Sequence, residues 1–288
     1  MQPADQKTPP PDAARPPGAP SPGKAADSDG TDAVVHRKRR LHIPFTALNI
    51  ASLLLALGLW FMIGAIGIRG IPGPIEVAER LRSSLISGVL PADMMISLQR
   101  VFLGLLFGVV LAIPVAFVMG WYRTARGLLE PWVQFLRTVP PIALIPLVIV
   151  LAGIGEFPKV LIIFFATFLT AVISIYQGVV DVDVTLINAA RVLGAKDRHV
   201  FLRVVVPAST PYVFVGVRIA LAAGWSTLVA AELVASQSGL GYRMLIAGLY
   251  FDLPTIYLNL IVIGFLGYSM DRLLMKVEHR LIGWQERR

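Results

Sequence analysis

The chain has 288 residues, with 26 Lys and Arg against 18 Asp and Glu for a formal charge of +8, and it contains no cysteine. Hydrophobic residues make up 56% and charged residues only 15%, where an ordinary soluble domain carries about 25% charged residues, and this composition argues against a soluble globular enzyme. Without cysteine there are no disulfides, no thiolate nucleophiles and no Cys-based zinc or iron–sulfur site.

The first elements lie in a polar stretch. Eight of the first 22 residues are proline, and no apolar run occurs before residue 43, so residues 1–40 read as a disordered, Pro-rich cytoplasmic tail rather than a signal peptide or a span. The tail ends in the basic cluster His36 to Arg40. Directly before an apolar run such a cluster reads as an orientation signal; a nucleic-acid patch is the competing reading.

From residue 41 onward the chain reads as an all-α, polytopic membrane domain, 41–288. A span needs about 20 mostly apolar residues. Stretches free of Asp, Glu, Lys and Arg run from Leu41 to Ile68, Val101 to Tyr122, Thr138 to Gly155, Val160 to Val180 and Leu253 to Met270. A further apolar stretch, Ala208 to Ala235, carries Arg218 and Glu232. Six transmembrane helices are expected, over about 45–66, 97–120, 136–154, 159–180, 209–235 and 254–275. Placing both termini in the cytoplasm puts Arg123, Arg126, Arg191, Lys196, Arg198, Arg203, Arg272, Lys276 and Arg280 inside, with only Arg69, Arg80, Arg82, Lys159 and Arg243 outside. That asymmetry predicts an N-in, C-in topology, and it accounts for the basic charge without nucleic acid. Gly104 and Gly108, Gly264 and Gly267, and the cluster Ala220 to Gly224 are candidates for close helix contact. Pro114, Pro140, Pro141 and Pro146 are expected to bend or break the second and third spans.

Between the fourth and fifth spans, residues 181–207 are too long for a tight turn and too patterned for a linker. Asp183 is placed to cap a helix whose apolar face is Leu186, Ala189, Ala190 and Leu193, with Gly194 as its stop. Asp197 is placed to cap a second helix with Val200, Phe201 and Val204 on one face, ended by Pro207. Two amphipathic helices hinged at a glycine suit docking to a soluble partner; lying on lipid headgroups is the alternative.

The pattern Asn188-Ala-Ala-x-x-x-Gly194, nine residues, then Val204-x-Val206-Pro207 resembles the signature loop of permease subunits of binding-protein-dependent ABC importers, in which Asn188 occupies the position of a glutamate. Ser97-Leu-Gln-Arg-Val-Phe-Leu-Gly104, Leu136 to Pro146, Gly153-Ile-Gly-Glu156, Arg218-Ile-Ala-Leu-Ala, Val229-Ala-Ala-Glu232 and Ser238-Gly-Leu-Gly-Tyr242 look like the nitrate, sulfonate and taurine branch of that family. The resemblance implies a type I permease with a six-helix core in the bacterial cytoplasmic membrane. Its implied partners are a cytoplasmic ABC ATPase dimer, a periplasmic or lipid-anchored substrate-binding protein and a second permease subunit, expected to be a second copy of this chain. Asn188, Ala189, Ala190, Gly194, Val204, Val206 and Pro207 are then the positions of an ATPase-coupling loop.

No catalytic residue, cofactor site or metal site is expected. The chain lacks a G-x-x-x-x-G-K-[ST] loop, and its four histidines have no metal-like spacing. Arg218 has two readings, an anion-attracting group in a translocation path or a bundle staple. Glu232 lies too far along the same helix to pair with it; Arg100 and Arg137 are read as snorkelling at span ends. Ser236 to Leu253 is read as an outer loop with a short amphipathic helix, and Gly239 and Gly241 join Arg218 and Glu232 as candidates for the path or gate. The leading expectation is an ATP-driven importer subunit for a small oxyanion working by alternating access. A self-sufficient secondary transporter or channel is the rival, against which the scarcity of intramembrane carboxylates counts.

Overall fold

A computed structural model describes residues 45–68 and 70–282; the tail, its basic cluster, Arg69 and the last six residues lie outside the described set. The chain divides into residues 1–49 and 50–288. Of the first unit only residues 45–49, the opening of the first helix, are described. The second unit holds all the packing discussed below.

Every regular element among the described residues is helical. The long apolar stretches give α1 (Phe45–Ile66), α3 (Val89–Trp121), α6 (Glu156–Val180), α9 (Val206–Ala235) and α11 (Leu253–Ile282). Shorter elements join them: α2 (Pro74–Ile86), α4 (Arg123–Leu136), α5 (Ile145–Ala152), α7 (Val184–Val192), α8 (Asp197–Val200) and α10 (Leu240–Leu249). Five helices are long and apolar enough to cross a membrane, or six if α4 and the Pro141–Ala152 segment form one broken span bent by 85°. The stretch expected to span at 136–154 is broken, where Pro140 and Pro141 were expected to bend or break it. Pro140 and Pro141 cannot continue a helix entered from α4, and the chain restarts as a 3-10 turn, Pro141–Leu144, before the eight residues of α5. The amphipathic helices α2 and α4 carry charges that hid them from a search for charge-free runs.

Small residues set the core. Gly104 faces Ile163, Gly108 faces Thr167 and Gly120 faces Val179, a constant offset of 59 residues that shows α3 and α6 running parallel in fixed register. Thr167 Oγ1 donates to the Gly104 carbonyl at 3.0 Å, tying the two backbones at the closest approach. Gly178 faces Tyr212, Gly216 faces Ile175 and Gly224 faces Thr167, so α9 packs antiparallel on α6. Van der Waals contact through small residues is what drives such association where lipid removes the hydrophobic term. Gly264 faces nothing within 4 Å, so of the proposed pair on α11 only Gly267 makes a contact, with Trp225. No residue in 47–66 of α1 is buried.

The segment after Gly194 differs from its expected form. Asp197 is the first residue of α8 rather than its cap, with Lys196 preceding it and no side-chain cap bond. Helix does not end at Pro207; it runs from Asp197 to Ala235, passing through a π turn at Phe201–Val205. A proline ring clashes with the carbonyl four residues back, here that of Arg203, and the wider turn immediately precedes Pro207. The extra residue also shifts the buried face: Val200 and Val205, five apart, are buried where a regular helix would have paired Val200 with Val204.

Candidate functional site

Two clusters at opposite ends of α9 gather most of the residues singled out in the sequence. At the N-terminal end of α9 lie α7 and α8. Asp183 caps α7 as expected, its Oδ1 accepting from the Thr185 N–H at 2.8 Å. That backbone hydrogen bond holds the Asp183 carboxyl below the usual carboxylate range. Leu186, Ala189 and Leu193 are exposed, Leu193 by 87%, whereas Ile187 on the other side packs against the bundle. The apolar face of α7 is therefore turned away from its own chain. Gly194 follows at φ +82°, a left-handed conformation that stops α7. Its amide donates to Arg191 O and that of Ala195 to Ala190 O. Leu193, Gly194, Lys196, His199, Arg203 and Val204 line an open groove of about 430 Å³. Asn188 is exposed, and Ala190, Val204, Val206 and Pro207 are half-buried. Arg191 reaches Asp197 across the hinge at 3.4 Å.

The other end holds a polar network that sequence reasoning missed in part. Asp93, Ser97 and Arg100, spaced four and three apart, form one stripe on α3. Arg100 is 1% exposed, so it does not snorkel. Its Nη1 donates to Glu232 Oε1 at 2.7 Å and to Ser238 O at 2.8 Å. Its Nε and Nη2 form a fork on Glu156 at 2.6 and 2.7 Å. Glu232 is fully buried, accepting also from Ser97 Oγ and the Gly241 N–H, each at 2.8 Å. Ser97 Oγ in turn accepts from Leu240 N–H at 2.9 Å, and Asp93 receives Gly239 N–H at 2.9 Å and Arg243 Nε at 2.8 Å. Lys159 Nζ donates to Glu156 at 2.9 Å. Three cations, Arg100, Lys159 and Arg243, thus meet three carboxylates, Asp93, Glu156 and Glu232.

The glycines expected at the gate are structural parts of this network. Gly239 sits at φ +107°, and a Cβ there would collide with the Glu232 carboxylate and the Arg100 guanidinium. A Cβ at Gly241 would stand 2.8 Å from that of Glu232. The turn between α9 and α10 is clamped onto α3 because only hydrogens face the ion pair. The stretches at 97–104, 153–156, 229–232 and 238–242, separated in sequence, converge here; the stripe at 93, 97 and 100 was the local signal that could have found Arg100 as a member. Arg218 is elsewhere. It binds Asp271 of α11 through two bonds of 2.7 and 3.2 Å, which tie α9 to α11.

Comparison with known proteins shows the family. Residues 104–283 match the family model "Binding-protein-dependent transport system inner membrane component". A protein of Brucella abortus (strain 2308) described as a "probable ABC transporter permease protein" is 57% identical over 240 residues, covering 83% of this chain and 96% of its own. The taurine transport system permease protein of Escherichia coli (strain K12) is 34% identical over 245 residues, covering 82% and 89%. An inward-facing structure of the MetNI methionine ABC transporter shares the fold, with a TM-score of 0.55 at 20% identity, covering 66% of this chain and 93% of that one. The chain belongs to the inner-membrane-component family of binding-protein-dependent transport systems and is a multi-pass permease subunit of an ABC importer in the bacterial inner membrane.

Proposed function

We propose that this permease forms the path for a small oxyanion, such as taurine, another aliphatic sulfonate or nitrate, in an importer energised by a separate ATPase dimer and supplied by a substrate-binding protein. The substrate class is supported by the relative named for taurine and by others named for aliphatic sulfonates and nitrate. Six spans with both termini in the cytoplasm, a second copy of this chain as partner and alternating access complete the reading. In that topology α7 and α8 face the cytoplasm, and α2 and α10 face outward.

The observation that carries the coupling role is the exposed apolar face of α7, ended by the left-handed Gly194 beside an open groove. An unburied face of Leu186, Ala189 and Leu193 on a capped helix is a surface made to be covered. Because α8 continues into α9, displacement of Gly194 is transmitted directly along a 39-residue helix. The network of Arg100 and Glu232 then serves as the outer closure.

The test is to replace Ala190 and Gly194 singly with glutamate in the complete transporter. Loss of ATP-driven uptake together with loss of ATPase co-purification is expected; retention of both overturns the docking role.

A further inference from the structure

Arg137 stands at the break between α4 and the 3-10 turn and lines a cavity of about 290 Å³ between that break, α6 and α9. The cavity lies deep along the spans. Thr170 on its wall is 14 residues from the start of α6, about 21 Å at the helical rise, and Thr227 is eight residues from the end of α9, about 12 Å. The mid-plane of a bilayer lies about 15 Å from either face of the hydrocarbon.

Four arginines of the bundle are engaged, Arg100 and Arg243 by carboxylates, Arg218 by Asp271, and Arg126 over the Tyr176 ring. The Arg137 side chain has neither ion pair nor hydrogen bond among the described residues. Arg137 is itself exposed at the end of α4, and a guanidinium that lines a cavity among spans without a carboxylate requires water or an anion beside it. Its surroundings suit an anion. No acidic residue lines the cavity, the walls otherwise being Val139, Ile173 and similar groups. The nearly buried Thr227 hydroxyl donates to no protein acceptor among the described residues, whereas Thr170 and Ser226 donate to carbonyls of their own helices.

We infer that Arg137, with Thr227 beside it, is the anion-selecting group of the translocation path, receiving the charged headgroup of a small oxyanion at the broken span. This rests on the reading of the chain as an oxyanion path and adds to it the residue that recognises the charge. Guanidinium recognises a sulfonate or nitrate by paired N–H donors directed at two oxygens.

The absence of cysteine from the chain makes a direct test available. Ser226, exposed on the cavity wall, is changed to cysteine in the complete transporter in proteoliposomes, and its labelling is followed by mass with thiol reagents of equal size bearing a sulfonate or a quaternary ammonium. With Arg137 present, the anionic reagent is expected to react about tenfold faster relative to the cationic one than in the Arg137→Gln variant. Arg137→Lys is expected to keep the preference, and excess taurine or methanesulfonate to slow labelling only where the positive charge remains. The same charge preference in Arg137→Gln as in the parent overturns the inference. Failure of the substrate reading is seen separately: if taurine, methanesulfonate and nitrate neither protect nor accumulate while the preference still follows residue 137, the anion-selecting role stands and the oxyanion assignment falls.

Discussion

Breaking a buried ion pair costs more than the pair gains in forming, because the remaining charge is left without compensation. Glu232 is fully buried, with its oxygens satisfied by Arg100, Ser97 and the Gly241 amide. Glu232→Ala is expected to destabilise the protein by about 3 kcal/mol, the low end for a broken buried pair, since Glu156 still holds Arg100. Thermal unfolding in detergent would show it as a loss on the order of 5–10 °C. Gly239→Ala should lower stability as well, since its Cβ would enter the ion pair at a φ that disfavours a side chain. The stripe at 93, 97 and 100 marked Arg100 locally, but its acidic partners could not be assigned from local sequence. Glu232 is 132 residues away and Glu156 is 56, and only folding brings those charges together. The isolated Arg100 therefore resembled a snorkelling arginine, and Arg218 kept two readings, path residue or staple, because Asp271 lies 53 residues away.

Elements were legible wherever charge or capping marked their limits. The charge-free runs produced α1, α3, α6 and α11, the apolar stretch around Arg218 and Glu232 produced α9, and the Asp183 cap and Gly194 stop bounded α7. Proline marked the trouble without specifying its form. Pro140 and Pro141 give an 85° break, whereas Pro207 is absorbed by a π turn. The α7 cap carries a pH dependence. Its carboxyl titrates below the unfolded value because the ionised form accepts the Thr185 amide. The stabilisation is therefore present above about pH 4, the ordinary aspartate value, and is lost as pH falls through the lower folded value. Amide exchange at Thr185 should accelerate at pH 3 relative to pH 5, after correction for intrinsic rates, and Asp183→Asn should remove that difference.

At the scale of the whole molecule, α3, α6 and α9 form a tightly packed slab, while α1 has no buried residue in its apolar stretch. The slab was only half legible. The glycine at 104 and its mate at 108 marked a contact face, but nothing in the sequence showed that the partner would be α6, parallel and offset by 59 residues. Overpacking in such a face costs typically 1–3 kcal/mol. Gly108→Ala, whose Cβ would meet Thr167 and stand 3.0 Å from the Phe168 amide nitrogen, should fall in that range, and Gly264→Ala, with nothing within 4 Å, should be neutral. Thermal unfolding of the two variants side by side would check this.

The constant step between α3 and α6 makes compensation a matter of arithmetic. A residue enlarged at one position should be relieved by trimming the residue 59 places further on, and by no neighbour one turn away. Gly120→Ala, which drives a methyl into Val179, should regain its lost stability with Val179→Ala but not with Val172→Ala, although both valines are buried on the same helix. Suppressors selected against damaging substitutions on α3 would then fall along α6 like the second line of a ruled page, each entry displaced from the first by the same count.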